Sequence, residues 1–290
     1  MLVPFAIVTL IWGSTWIVIR DQLGVVPANW SVTYRFIVAG GAIAAWAWWR
    51  GDSWRIGWRG VGFAAATGLF QFCGNFNFVY RAEHLVTSGL VAVVFALLLV
   101  PNAILARIFL GQRPGRQLVA GSAIAVAGVA LLFVHEARVD PSAGAAVATG
   151  IALTLAGVLS ASVSNVMQAT ELARRYPMGS TLAIAMWLGA AFDGALAWWL
   201  TGPPVFDPRP AYVAGVLYLA LAASAVAFPL YYGVLRRIGP AKAAYSSVIV
   251  PVIAMLLSTV FEGYRWSPLA AAGAVLAACG LVVALRAKRP

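Results

Sequence analysis

Apolar residues run through the chain in long stretches, and the breaks between them fall at short clusters of Gly, Pro, Asp and basic residues. Ten stretches lie near residues 3–20, 31–49, 60–80, 86–109, 117–135, 144–168, 179–200, 211–234, 242–261 and 267–286. Each approaches the ~20 residues that carry an α-helix across a hydrocarbon core. The pattern predicts an all-α integral membrane protein with ten transmembrane helices. Little chain remains for the connections, so no loop can hold a soluble domain and any function must sit among the helices.

Composition agrees: 62% of residues are hydrophobic and only 10% charged, with a mean hydropathy of +0.87, against roughly 25% charged in soluble domains. The net charge of +11 would fit a nucleic-acid partner if the basic residues formed a patch. Instead they alternate between loops. One side takes Arg50, Arg55, Arg59, Arg107, Arg113, Arg116, Arg174, Arg175, Arg236, Arg237, Lys242, Arg286, Lys288 and Arg289, while the other takes Arg20, Arg81, Arg138, Arg209 and Arg265. Cytoplasmic loops are the basic ones, so both termini are expected in the cytoplasm of a multi-pass inner-membrane protein, with no nucleic-acid partner. The first stretch begins almost at Met1 without a basic leader, and Trp12, Trp16 and Arg20 stand where a cleavage site would need small residues, so it reads as a retained helix. Cys73 and Cys279 both fall inside spans and imply no disulfide, redox or metal site. No phosphate-binding glycine loop occurs, which disfavours transport driven by this chain's own ATP hydrolysis.

An internal repeat lies at an offset of 150 residues. Pro27 pairs with Pro177, Pro101 with Pro251 and Gln112 with Glu262; with two more residues of offset, Gly121 and Gly128 pair with Gly273 and Gly280. The chain therefore divides into five-helix halves, 1–140 and 141–290. Five is odd, so the second half enters the membrane from the opposite side, and the repeats are inverted around a central cavity. Secondary transporters often have this design, with the substrate site near the midplane and alternating access between halves.

The segments LIWGSTWIVIR (10–20) and GVVPANWSVTYRFIVAGGAIAAW (24–46) resemble the first two helices of the drug/metabolite transporter superfamily, EamA branch. FLGQRPGRQLVAGSAIAVAGVALL (109–132) is similar to that family's fourth and fifth helices, where Glu is more usual than Gln112; the second half supplies the acid at Glu262. The resemblance implies a ten-helix carrier of small metabolites, and among subgroups it lies nearest the YddG-type exporters of aromatic amino acids. It also places Arg35 in a common helix-two element, which points to a structural role for that charge.

Intramembrane polar residues mark pathways when they face the bundle interior. On the first helix Thr9, Trp12, Gly13, Trp16 and Arg20 share a face; Trp16 suits an interfacial belt as well as a cavity, and Trp12 is deeper. The third helix carries Gln71 and Asn75 on one face and Asn77, Tyr80, Arg81 and His84 nearly opposite. Both faces cannot line one cavity equally. The sixth helix offers Ser160, Ser164, Asn165 and Gln168, of which the serines suit interhelical hydrogen bonds. Tyr231 and Tyr232, Tyr245 with Ser246 and Ser247, and Pro229 as hinge or static kink complete the candidates. Amides both donate and accept, so such a lining can bind the ammonium and carboxylate of a zwitterion. Asp193, deep in the seventh helix, either couples transport to protons or pairs structurally.

The aromatic and amide lining favours a neutral zwitterion as substrate, and the resemblance implies a secondary carrier that exports amino acids, aromatic or neutral, without a cofactor. A carrier of another metabolite or drug class is the alternative; organic phosphates would call for a basic cavity, and the basic residues here lie mostly at helix ends. An intramembrane enzyme would need partnered catalytic groups at mid-membrane, whereas Asp193 is the one convincing deep acid and His84 and His135 sit near span ends. A scaffold lacks positive support. The small residues of the fifth and tenth helices are explained by close packing, and nothing specifies an oligomer.

Overall fold

The computed structural model describes residues 2–112, 115–139, 144–243 and 246–285. These residues form helices and no strand. In chain order they are α1 (Leu2–Gln22), α2 (Ala28–Trp49), α3 (57–83), α4 (Ser88–Leu110), α5 (Arg116–Val139), α6 (Gly144–Gln168), α7 (Met178–Thr201), α8 (210–238), α9 (Ser246–Phe261) and α10 (Pro268–Leu285). Two single turns, Glu171–Arg174 and Pro240–Ala243, sit in connections. Of the described helices, α4, α6, α7 and residues Pro210–Arg237 of α8 are long and apolar enough to cross a membrane.

Local chemistry places the ends. Pro27 and Pro177 precede α2 and α7 with nearly equal backbone angles, φ −55° and ψ 139° against φ −57° and ψ 133°, because the ring fixes φ and lacks the N–H that a first turn leaves free. Gly111 ends α4 and Gly263 follows α9, at φ 67° and 68°, a left-handed conformation that costs glycine little.

The helices pair across the two sequence halves. α2 lies antiparallel to α7: a Cβ on Gly40 would sit 2.5 Å from the Trp187 ring, and a Cβ on Gly179 would sit 2.8 Å from Ala47. α5 lies antiparallel to α10, where backbones touch; a Cβ on Gly128 would be 2.3 Å from the Ala277 nitrogen, and one on Gly280 equally close to that of Ala125. Small residues permit this approach, which maximises dispersion contact where lipid removes the hydrophobic drive for helix association. The leading helices cross over: α1 packs on α8 and α9, and α6 packs on α3 and α4. Each half therefore closes its interior with a helix from the other.

Candidate functional site

Within α3 and α8 the hydrogen bonding widens into π-helical segments, Gly68–Asn75 and Leu221–Val226. Such a segment leaves carbonyls imperfectly paired, and π-bulges recur at functional sites. Here each segment receives a donor from the opposite half's leading helix. Trp12 Nε1 on α1 donates to the Ala223 carbonyl at 3.1 Å; Ser160 Oγ on α6 donates to the Phe70 carbonyl at 2.7 Å.

A cavity of about 90 Å³ is lined by Gln71 and Asn75 of the first segment and by Phe228 and Tyr231 just past the second. A water molecule needs ~10–15 Å³ of such space, so the site has room for several. One side is aromatic. Trp12 stands 4.9 Å from Tyr231 and 5.5 Å from Phe228, centroid to centroid, and Trp16 meets Phe95 at 5.5 Å. The polar lining comprises Thr15, Arg35, Gln71, Asn75 and Asn165, with no carboxylate among the described lining residues.

Arg35 is buried, 1% exposed. Its Nε donates to Ser224 Oγ at 3.0 Å, and its guanidinium lies 4.3 Å from the Phe76 ring centroid, a cation–π arrangement that partly replaces water. Nη1 has no hydrogen-bond partner among the described residues, and neither has Asn75 Oδ1. Buried polar atoms are rarely left unpaired, and Arg35 and Asn75 both belong to the cavity lining. Asn165 Nδ2 donates to Asn102 Oδ1 at 3.4 Å, and the Tyr231 hydroxyl faces Asn165.

The structure thus brings Trp12, Trp16, Arg35, Gln71, Asn75, Asn165 and Tyr231 to one cavity. Other candidates stand elsewhere. Tyr232 is beside it, hydrogen bonded to Gln71 at 3.4 Å and to Ser164 at 3.2 Å. Gln168 lies towards one end, donating to Thr67 at 3.5 Å and accepting from Arg236 at 2.8 Å. Asn77 and Asp193 belong to a separate buried chain in which Asn29 donates to Asn77 and Asn77 donates to Asp193 and, at 3.0 Å, to the Cys73 carbonyl. Tyr80 is fully buried and donates to Gln22 at 3.2 Å. His84 lies just beyond the end of α3, where partial desolvation of its ring and the Arg20 charge hold its imidazole below the usual range. Pro229 lies three residues past the π segment of α8, so the carbonyl that its missing N–H would have met four residues back, that of Ala225, falls within the widened turns. Tyr245 lies outside the described residues.

Thr15, Phe228 and Asn102 were not evident from the sequence. Phe228 is one ring among many in an apolar run, and Asn102 faces inward only because α6 crosses from the other half. Periodicity within α4 put it on a helix but carried no information about that partner.

The sequence profile of the EamA-like transporter family matches residues 2–134 and again 148–286. Protein PagO of Salmonella typhimurium is 25% identical over 91% of this chain and 85% of its own length. The uncharacterized inner membrane transporter YedA of Escherichia coli K12 is 29% identical over 88% and 80%. A protein from Streptantibioticus cattleyicolor, described as a probable terminal-alkyne amino-acid exporter, is 28% identical over 77% and 71%. A solved crystal structure shares the fold with a TM-score of 0.72 and 23% identity, covering 97% of this chain and 95% of that one.

Proposed function

This chain belongs to the EamA-like transporter family of multi-pass membrane carriers, and from that premise we propose that it exports amino acids, aromatic or otherwise neutral, across the inner membrane by alternating access. The observation that carries the reading is the cavity lining. Unpaired Arg35 Nη1 suits a substrate carboxylate, the Asn75 and Gln71 amide oxygens suit an ammonium, and Trp12, Phe228 and Tyr231 suit an apolar or aromatic side chain. The name of the Streptantibioticus relative supports the same substrate class.

The ten long helices act as ten spans in two inverted repeats, 1–140 and 141–290. Antiparallel packing of α2 on α7 and of α5 on α10 supports inversion, as does the reciprocal contact of each leading helix with the other half's π segment. Trp48 and Trp49 end α2 exposed, and Trp198 and Trp199, 150 residues on, are exposed near the end of antiparallel α7. Tryptophan favours headgroup depth, so these pairs suit belts at opposite membrane faces. Both termini lie in the cytoplasm on the charge distribution of the loops.

Purified protein in liposomes loaded with phenylalanine tests the function by counterflow of labelled phenylalanine. Saturable flux, competed by neutral amino acids and without chemical conversion, is expected. Flux competed equally by simple carboxylates lacking an amine would move the reading to organic anions, for which Arg35 alone suffices.

A further inference from the structure

Three helices that line the cavity carry polar side chains one turn farther out. Trp16, Val79 and Ala92 face the cavity; Arg20, Glu83 and Ser88 stand four residues beyond them on α1, α3 and α4, about 6 Å along each helix axis. Glu262, in the connection after α9, completes the group. It accepts from Ser88 Oγ at 2.6 Å and from the Ser88 backbone nitrogen at 3.2 Å, and lies 3.5 Å from Arg20 Nε. Glu262 is therefore contacted by a hydroxyl, a helix N-terminus and a guanidinium. Arg20 Nη1 is directed to the Glu83 backbone carbonyl.

Glu83 has the opposite environment. Its side chain is fully buried, and neither carboxyl oxygen has a hydrogen-bond partner among the described residues. The charges facing it are Glu262, Arg20 on α1 and Arg35 on α2, with Tyr80 one turn back on its own helix and His84 next to it in the chain. From α4 and α6, which also pack there, no titratable side chain among the described residues faces it. Arg20 is committed to Glu262 and to a backbone carbonyl. An ionised carboxylate left dry and unbonded is far more costly than a neutral acid.

We propose that Glu83 is a proton-carrying site of the transport cycle, set in a gate formed by Arg20, Ser88 and Glu262 over the cavity. In the closed arrangement Glu83 holds its proton. When α1, α4 and α9 separate, water reaches it, the O–H bond breaks, the proton passes to water and the carboxylate is stabilised by hydration and by Arg20. Closure requires a proton to return, so substrate movement carries proton movement with it. The inference rests on the carrier reading above.

The test uses the full-length protein in liposomes with labelled phenylalanine as probe and an internal pH-sensitive dye. Wild-type protein and surface variant Glu171→Gln should move protons with phenylalanine and accelerate under a pH gradient. Glu83→Gln, a permanent mimic of the protonated acid, should lose gradient-driven transport about tenfold or more while phenylalanine exchange stays within about twofold of wild type. A protonated-carboxyl infrared component at neutral pH that disappears in Glu83→Gln and persists in Asp193→Asn gives a readout independent of flux. Proton-free phenylalanine transport by the wild type, gradient-driven transport unchanged in Glu83→Gln, or a carboxyl infrared spectrum that Glu83→Gln leaves unchanged overturns the proposal. Absence of phenylalanine flux in the wild type counts instead against the amino-acid reading, and the infrared band then decides whether Glu83 holds a proton.

Discussion

A side-chain amide in an apolar bundle must place two N–H donors and a carbonyl, and Asn77 does so by linking α2, α3 and α7 through Asn29 and Asp193. Truncating it strands the buried Asp193 carboxyl group. Asn77→Ala should therefore lower stability by about 1–3 kcal/mol, measured as thermal unfolding in detergent, whereas Asp193→Asn, which keeps a hydrogen-bonding side chain, should cost less and leave proton-coupled flux in place. The helical phase of the third stretch separated two polar faces but not which of them meets the cavity: Gln71 and Asn75 line it, while Asn77 and Tyr80 bond elsewhere. Glu83 was not readable. A lone acid between Arg81 and His84 at the end of an apolar run looks like a solvated loop, and its burial depends on α1, α4 and α9 converging from distant sequence. His84 adds a pH test at the same end. Because its imidazole is held below the usual range, the unfolded chain binds the proton more readily. Its contribution to stability is complete above the unfolded value of about 6.5 and is lost as pH falls through the lower folded value. His84→Gln should therefore flatten the fall in melting temperature between about pH 7 and pH 5; an unchanged slope would remove His84 from the acid response.

At the scale of helices, the strongest sequence signals were length and small-residue spacing. Gly121 with Gly128 and Gly273 with Gly280 repeat at seven residues, and these positions are where α5 and α10 touch backbone to backbone. The π segments left little trace. Gly68 and Gly74 lie within one and Pro229 three residues past the other, but each residue is also compatible with an ordinary membrane helix. Donors from outside, Trp12 and Ser160, bond carbonyls within the widened turns. Trp12→Phe retains most of the ring packing against Tyr231 and Phe228 but removes the donor to the Ala223 carbonyl. Amide hydrogen exchange in residues 221–226 should then rise by about tenfold, the equivalent of ~1.4 kcal/mol. Ser160→Ala should act in the same way on residues 68–75, leaving the opposite segment protected. Exchange that rises equally in both segments would show a global loss of packing instead of a missing local cap.

For the molecule as a whole, the crossing of α1 and α6 makes the two sequence halves interdependent. The offset of 150 residues revealed equivalent positions but not the exchange, because a repeat in sequence is the same whether each half folds on itself or around its partner. Contacts distinguish the two. α1 packs on α8 and α9, α6 packs on α3 and α4, and the two extended hydrophobic cores both draw residues from both halves. Residues 1–140 alone would expose the face of α1 that meets α8 and leave the Phe70 carbonyl without Ser160; residues 141–290 alone would leave the Ala223 carbonyl without Trp12. Van der Waals contact and interhelical hydrogen bonds supply the association energy in lipid, so neither half retains enough of either to hold its π segment and cavity wall. Expressed separately, each half should be proteolysed or aggregate. Co-expressed as two chains, they should copurify as a one-to-one complex, and phenylalanine counterflow should return in liposomes because every interhalf contact is non-covalent. A stable, monodisperse 1–140 fragment would show that α1 can pack within its own half and would overturn the interdependence argued from these contacts.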